Sequence, residues 1–245
     1  MEILGIIPAR FASTRFPGKP LIIINGMSMI QRVYTQASKS KSLYKVIVAT
    51  DDRRIYDHVK AFGGQVIMTS PTHLTGTDRC KEVLKLSKET CDMLINIQGD
   101  EPFIDPEQID RVASCFYSKG VSIATLAKKI TNLDDVFNKN IVKVVFNKSS
   151  DALYFSRSPI PFTRNFEEKD WLNNTNYYKH IGIYGFTKYA LNEVTRAEPS
   201  MLEKAESLEQ LRWIENGSRI RVAITDKESV SIDAPEDLEK VKHLV

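Results

Sequence analysis

Short runs rich in Ile and Val recur through the first half of the chain, each followed by a polar turn and a segment with helical spacing of apolar residues. The runs cover residues 3–7, 45–49, 65–68 and 93–97. After the first, Met29, Ile30, Val33, Tyr34 and Ala37 repeat at helical intervals; after the second, Ile55, Val59 and Phe62 do. A strand apolar at successive positions is buried on both faces, and amphipathic helices between such strands supply the cover. The pattern predicts a mainly parallel sheet with helices on both faces, and it holds to a helix over 107–116. Beyond it strands predominate, at 123–126, 142–146, 152–156 and 180–186, interrupted by a long polar loop at 159–178. A helix over 206–216 stops at Gly217, a suitable residue just past a helix end, and a strand over 219–224 follows. Asp233-Ala234-Pro235-Glu236 then opens the last helix, with proline near its first position. No internal repeat, low-complexity tract or linker divides the 245 residues, so they read as one α/β domain with a mixed-sheet extension in the second half.

Composition narrows the function classes. A net charge of +3 is too small for the basic footprint of a nucleic-acid-binding domain. No apolar stretch approaches the roughly 18–20 residues that a membrane span needs, and the N-terminal MEILGIIPAR has no basic region of the signal-peptide kind. Three cysteines, Cys80, Cys91 and Cys115, with no CxxC pair, fit a reducing compartment and exclude a metal–thiolate site. The expectation is a cytoplasmic protein that engages neither nucleic acid nor membrane.

The loop leaving the first strand gathers Arg10, Arg15 and Lys19 around Ser13, Thr14 and Gly18, with no carboxylate between them. Ligands bind at the carboxyl edge of open α/β sheets, and three uncompensated cations there suit a polyphosphate. The loop has neither the GxxxxGK[ST] spacing of a Walker A motif nor the GxGxxG of a dinucleotide site, which disfavours an NAD-dependent oxidoreductase. Asp100 follows the strand read over 93–99, with Gly99 permitting a tight turn. An acid at that edge is a natural Mg²⁺ ligand, since magnesium at nucleotide sites takes one or two carboxylates beside phosphate oxygens. Asp233 has two readings, a second metal ligand or the N-cap of the last helix, a part Ser231 would also fill. Gln98 shares a face with Asp100 if the strand continues, and Glu101 then points away and stays outside the metal set. His180 and Tyr184 fall on one face of a strand at even spacing. Arg157 ends a strand with a guanidinium fork suited to a carboxylate or phosphate. Glu209 and Gln210 read as the wet face of a helix that also carries Leu208, Leu211 and Trp213. The segment 69–79 precedes a helix that Thr75 or Thr77 caps.

Taken in order, PAR at 8–10, STR at 13–15, PGK at 17–19, ATDD at 49–52, GTDR at 76–79, NIQGDEP at 96–102, ALYFSR at 152–157, KHIGIY at 179–184, ESLEQLR at 206–212 and IDAPED at 232–237 resemble the sugar-acid cytidylyltransferases. The likeness is strongest to the 3-deoxy-manno-octulosonate (Kdo) cytidylyltransferases and spans nearly the whole chain. It implies a single Rossmann-like nucleotide-diphospho-sugar transferase domain, with a nucleotide-binding half to about residue 118 and sugar-binding and dimerisation elements from about 119. It also implies transfer of CMP from CTP to the anomeric C2 hydroxyl of Kdo, with pyrophosphate released, for lipopolysaccharide biosynthesis. By resemblance, Ala9, Arg10, Ser13, Arg15, Lys19, Thr72, His73 and Arg79 bind the nucleotide. Gln98, Arg157, His180, Tyr184, Glu209 and Gln210 line the sugar site. Asp100 and Asp233 hold Mg²⁺, and Lys19 and Arg10 join them in catalysis. The family is typically homodimeric. Ala234 departs from the family's usual threonine, which removes a hydroxyl and spares the neighbouring carboxylate. Rival readings are a cytidylyltransferase for 8-amino-Kdo or a sialic acid, and a non-catalytic nucleotide-binding protein on the same fold. The retention of Arg10, Lys19, Asp100 and Asp233 together argues against the second.

Overall fold

In the computed structural model, which describes residues 1–12 and 16–241, strand and helix alternate from the start. The first strand, β1 (Ile3–Ala9), is buried along almost its whole length. A small hairpin of β2 (Ile23–Ile24) and β3 (Met27–Ser28) follows, turning through Asn25 and Gly26 at φ 41° and 80°. Both central residues at positive φ are what the tight turn of a two-residue hairpin requires. Ser28 then caps α1 (Met29–Ala37), its hydroxyl accepting from Gln31 N. After β4 (Leu43–Thr50), Asp52 caps α2 (Arg53–Ala61). Strand β5 (Val66–Met68) precedes α3 (Gly76–Ser87), and Thr75, not Thr77, is its cap. Strand β6 (Met93–Asn96) precedes α4 (Pro106–Ser114), which opens on a capping box of Asp105 and Gln108 with proline in its first turn.

The second half comprises β7 (Ile123–Lys129), α5 (Leu133–Phe137), β8 (Lys143–Phe146), β9 (Ala152–Ser156), α6 (Trp171–Asn174), β10 (Tyr178–Thr187), α7 (Lys188–Val194), α8 (Met201–Glu206), α9 (Glu209–Glu215), β11 (Arg221–Ile224) and α10 (Asp237–Val241). Among the described residues the main sheet has nine strands, in the order β11-β7-β10-β6-β1-β4-β5, with the β8–β9 hairpin joined to β10. Strand β10 is antiparallel to both neighbours; the other six on that path run one way. Reversal of this one strand sets its start, Tyr178, opposite Lys129 at the carboxyl end of β7. The second half thereby reaches the ligand edge without a helical crossover.

Alternation along β1 assigns its side chains to two cores. Ile3 and Ile7 pack with Ile30, Val33, Ile55, Val59, Ile109 and Val112 of α1, α2 and α4. Leu4 and Ile6 belong with Cys80, Val83, Leu191, Val194, Leu211 and Trp213 of α3, α7 and α9. Burial of apolar side chains on both faces, about 1.5–3 kcal/mol for each large one, is what holds the layers together.

Three sequence readings need correction. The helix expected over 206–216 starts only at Glu209, because Glu206 ends the preceding α8, Ser207 adopts φ 54° and Leu208 turns into the core. Arg212 of α9 clamps Glu203 of α8 through Nε–Oε2 at 2.7 Å and Nη2–Oε1 at 2.5 Å, fixing the bend. The last helix begins at Asp237, so Pro235 lies ahead of it and not in its first turn. The stretch 159–178 is no bare loop. It carries α6, and Trp171 stacks on Tyr177 at 5.9 Å over a small core with Ile130 and Val136.

Gly185 on β10 has no room for a side chain. A Cβ there would stand 2.6 Å from Phe116 and 2.9 Å from Val112, where α4 and the turn after it cross the sheet. Overpacking of this kind costs about 1–3 kcal/mol. Gly185→Ala is expected to lower unfolding free energy by that amount in urea titration, with an unchanged slope.

Candidate active site

The site begins where β6 passes β1. Strand β6 ends at Asn96, earlier than the sequence reading, and Ile97 N still bonds Ile6 O at 2.8 Å. Gly99 then crosses the end of β1 so closely that a Cβ would lie 2.6 Å from Pro8 O. The glycine is required by this close approach, not by a tight turn as such. Asp100 comes next, and its carbonyl accepts from Ile232 N at 2.9 Å, fastening the segment after β11 beside it. Asp233 is not an N-cap. Asp237 Oδ2 accepts from Asp233 N and Ala234 N, both at 2.9 Å, folding this backbone back on the start of α10. The Asp233 side chain turns instead toward Lys19. The two carboxylates converge on Lys19, whose Nζ lies 2.8 Å from Asp100 Oδ2 and 3.3 Å from Asp233 Oδ1. Lys19 is delivered by the turn at Gly18, φ 73°, whose N–H donates to Phe11 O at 2.9 Å and closes the first loop. The sequence reading gave Lys19 to the phosphates; its ammonium here contacts both acids.

Glu101, read as pointing away, belongs to the same cluster. The alternation rule failed because β6 had already ended. Its carboxyl is buried and accepts a short hydrogen bond from Ser229 Oγ. Burial pushes it up to about 7, with the charges of Asp100 and Asp233 adding to the rise and Ser229 opposing it. Among the described residues no three His, Cys, Asp or Glu side chains form a group able to hold a metal by themselves. Two oxygen-donor carboxylates at one point suit a Mg²⁺ that brings phosphate oxygens with it. The donor set therefore fits the ion implied by the sequence.

On the nucleotide side, Ala9 is buried at the end of β1 and Arg10 Nη2 donates to Leu74 O at 2.5 Å, drawing the 69–79 segment to the first loop. Ser13 and Arg15 lie outside the described residues. Arg79 is fully buried, paired with Asp51 Oδ2 at 2.9 Å and hydrogen-bonded to Thr69 Oγ1. It braces the loop from behind. Thr72 is exposed, its hydroxyl 2.7 Å from Ser70 Oγ. His73 turns to Glu82 at 2.6 Å and lines a separate cavity of about 730 Å³ beside α3 and α7, away from the aspartate pair.

The expected sugar wall is built on β10. Between Ile181, opposite Leu126, and Tyr184, opposite Thr125, the strand carries two extra residues. Thr125 fills this bulge, its Oγ1 lying 3.2 Å from Ile181 O, 2.8 Å from Ile183 O and 2.9 Å from His180 Nε2. Because the excess is two, His180 and Tyr184 still share a face, with ring centroids 5.3 Å apart. Gln98 Nε2 donates to Gly182 O at 2.8 Å, tying the end of β6 to the bulge. Tyr184 is buried, and its hydroxyl, close to Thr125, makes no well-formed hydrogen bond. Arg157 faces elsewhere. Its Nε and Nη2 donate to Glu206 O at 2.8 Å and Ser207 O at 3.5 Å at the end of α8, and Nη1 donates to Lys139 O at 3.1 Å. Glu209, the first residue of α9, is half-buried, and burial pushes it up to about 7 against the pull of hydrogen bonds from Thr77 and Thr75 at the start of α3. Gln210 is buried and not on a wet face. Sequence reasoning missed Glu101, Ser229 and Thr125. The lone hydroxyl of Thr125 in an apolar strand was a usable signal; Ser229 offered none.

Burial drives the His180 pKa down to about 3, so the ring is neutral in the folded protein. A lowered histidine pKa adds stability above the unfolded value near 6.5, lost as pH falls toward the folded value. His180→Gln is expected to lose about 2–3 kcal/mol less stability than the parent between pH 7 and pH 4.5, read by urea unfolding at both.

Comparison with known proteins adds an independent line. The sequence profile described as cytidylyltransferase matches residues 4–220. The 3-deoxy-manno-octulosonate cytidylyltransferase of Parabacteroides distasonis is 54% identical over 244 residues, covering 98% of this chain and 96% of its own. That of Bacteroides thetaiotaomicron is 52% identical over 249 residues, covering 100% and 98%. A solved structure of CMP:2-keto-3-deoxy-manno-octonic acid synthetase complexed with CTP superposes with a TM-score of 0.92 at 41% identity, covering 100% of this chain and 98% of that one.

Proposed function

This chain belongs to the cytidylyltransferase family, and from that premise we propose that it transfers CMP from CTP to the C2 hydroxyl of 3-deoxy-manno-octulosonate. The C2 oxygen forms a bond to the α-phosphorus as the bond from that phosphorus to pyrophosphate breaks, and the hydroxyl proton is released. The observation that carries the reading is the meeting of Asp100, Asp233 and Lys19 at the carboxyl edge of the sheet, on segments distant in sequence. In this reading Asp100 and Asp233 hold the Mg²⁺ that accompanies the nucleotide, and the bound ion supplies Lewis-acid charge at the phosphates. Arg10 and Lys19 then serve the triphosphate and its leaving group, a role the resemblance extends to Ser13 and Arg15. The buried tie of Arg79 to Asp51 keeps the 69–79 segment in place against the base.

Opposite them, Gln98 and the β10 bulge bring His180 and Tyr184 to the sugar side, with Glu209 at its rim. Neutral His180 serves as a hydrogen-bonding surface and not as a cation for the sugar carboxylate. Positioning and electrostatics then carry the rate enhancement, and no side chain is needed as a covalent intermediate. We extend the proposal to a cytoplasmic homodimer that feeds lipopolysaccharide assembly. No helix among the described residues is long and apolar enough to cross a membrane.

Pyrophosphate release measured with CTP and Kdo, against UTP and against 8-amino-Kdo or a sialic acid, tests the assignment. CTP with Kdo is expected to give the highest kcat/KM, and a higher value for another pair overturns the substrate. Asp100→Asn keeps the side-chain volume and removes the charge. It is expected to lower kcat by a hundredfold or more with a far-UV spectrum and melting temperature close to the parent, as for loss of one strong electrostatic partner of the transition state. A rate within threefold of the parent in Mg²⁺ overturns the role given to Asp100.

A further inference from the structure

Lys19 does more here than await a phosphate. Its ammonium is nearly enclosed, with 13% of the side chain exposed, and it touches one oxygen from each of the two carboxylates meant for the divalent ion. Both sides of this contact are held by backbone. Gly18 and the turn over Lys19–Leu21 fix the lysine, while Ile232 N on Asp100 O and the Asp237 carboxylate fix the acids.

A divalent ion and the lysine ammonium compete for the same oxygens and repel each other at this range. A nucleotide triphosphate removes the conflict, because it offers the ammonium a second polyanionic partner while bringing its own ion. We propose that Lys19 is an internal counter-ion that keeps the aspartate pair closed to free divalent metal and opens it to metal carried by a nucleotide. Metal and nucleotide binding are then positively coupled through one side chain, and the coupling is reciprocal. The inference rests on the metal role given to Asp100 and Asp233 in the proposed function, and goes beyond it by assigning an order: the ion enters with the nucleotide.

The test uses Mn²⁺ alone with the full chain and no substrate, counting free Mn²⁺ by electron paramagnetic resonance. The parent is expected to bind Mn²⁺ weakly. Lys19→Met and Lys19→Gln are expected to bind it at least tenfold more tightly, and Lys19→Arg, which keeps the charge, to stay near the parent. Adding Asp100→Asn to Lys19→Met is expected to abolish the gain, which locates the ion at this pair; a melting temperature for each variant verifies folding. Equal or weaker binding by both uncharged variants overturns the proposal, as does a gain that survives Asp100→Asn. Because no turnover is read, failure of the CTP and Kdo assignment and failure of the counter-ion role give separate results.

Discussion

The hydrogen bond from Ile232 N to Asp100 O is the constraint on which the arrangement of the site depends. It joins the segment that follows the outermost strand, β11, to the turn after β6, near the middle of the sheet. Without it the two acids have no common address, since they lie on loops that leave different strands. The fold supplies the rest of the approach. Gly99 lets the turn ride against Pro8, and the Asp237 carboxylate gathers the backbone at Asp233 and Ala234. A main-chain contact of ordinary length thus sets the distance between side chains that carry charge.

Electrostatics then separates the site into two regions with different logic. Around Lys19 the acids outnumber the cations, and burial, by raising Glu101 to about 7, lessens the surplus. Around Arg10 and Arg79 cations and acids alternate. Asp51 pairs directly with Arg79, while Asp78 and Glu209 partly offset the burial that lowers the Arg10 pKa. A charged substrate lying across both regions meets counter-charge on either side of a fixed scaffold. Most of that charge is paired inside the protein, so reorganisation during reaction is small, the condition under which fixed dipoles and charges are most effective.

Much of this was legible from residue order. The apolar runs gave the strands because parallel strands must be apolar on both faces, and the spacing of Met29 to Ala37 coincides with α1. Asp100 and Asp233, read together from the sequence, both reach Lys19. What the order of residues did not reveal depends on where regular structure stops. Glu101 was misread because β6 ends at Asn96, and alternation has no force in a turn. The helix read over 206–216 starts only at Glu209 because Leu208 enters the core ahead of it, a tertiary effect that local spacing does not report. Arg157 looked like an anion fork, yet its donors satisfy the carbonyls at the end of α8, a demand invisible until the two segments are seen together.

The bulge in β10 has a consequence for how this wall tolerates change in length. Two surplus residues, gathered around the Thr125 hydroxyl, leave the facing of everything beyond them intact. Removing or adding a single residue there would turn the following side chains over, moving Tyr184 from the inner surface to the opposite face of the sheet. Insertions and deletions at this point are therefore governed by parity: even ones reshape the rim of the pocket, and odd ones invert its floor.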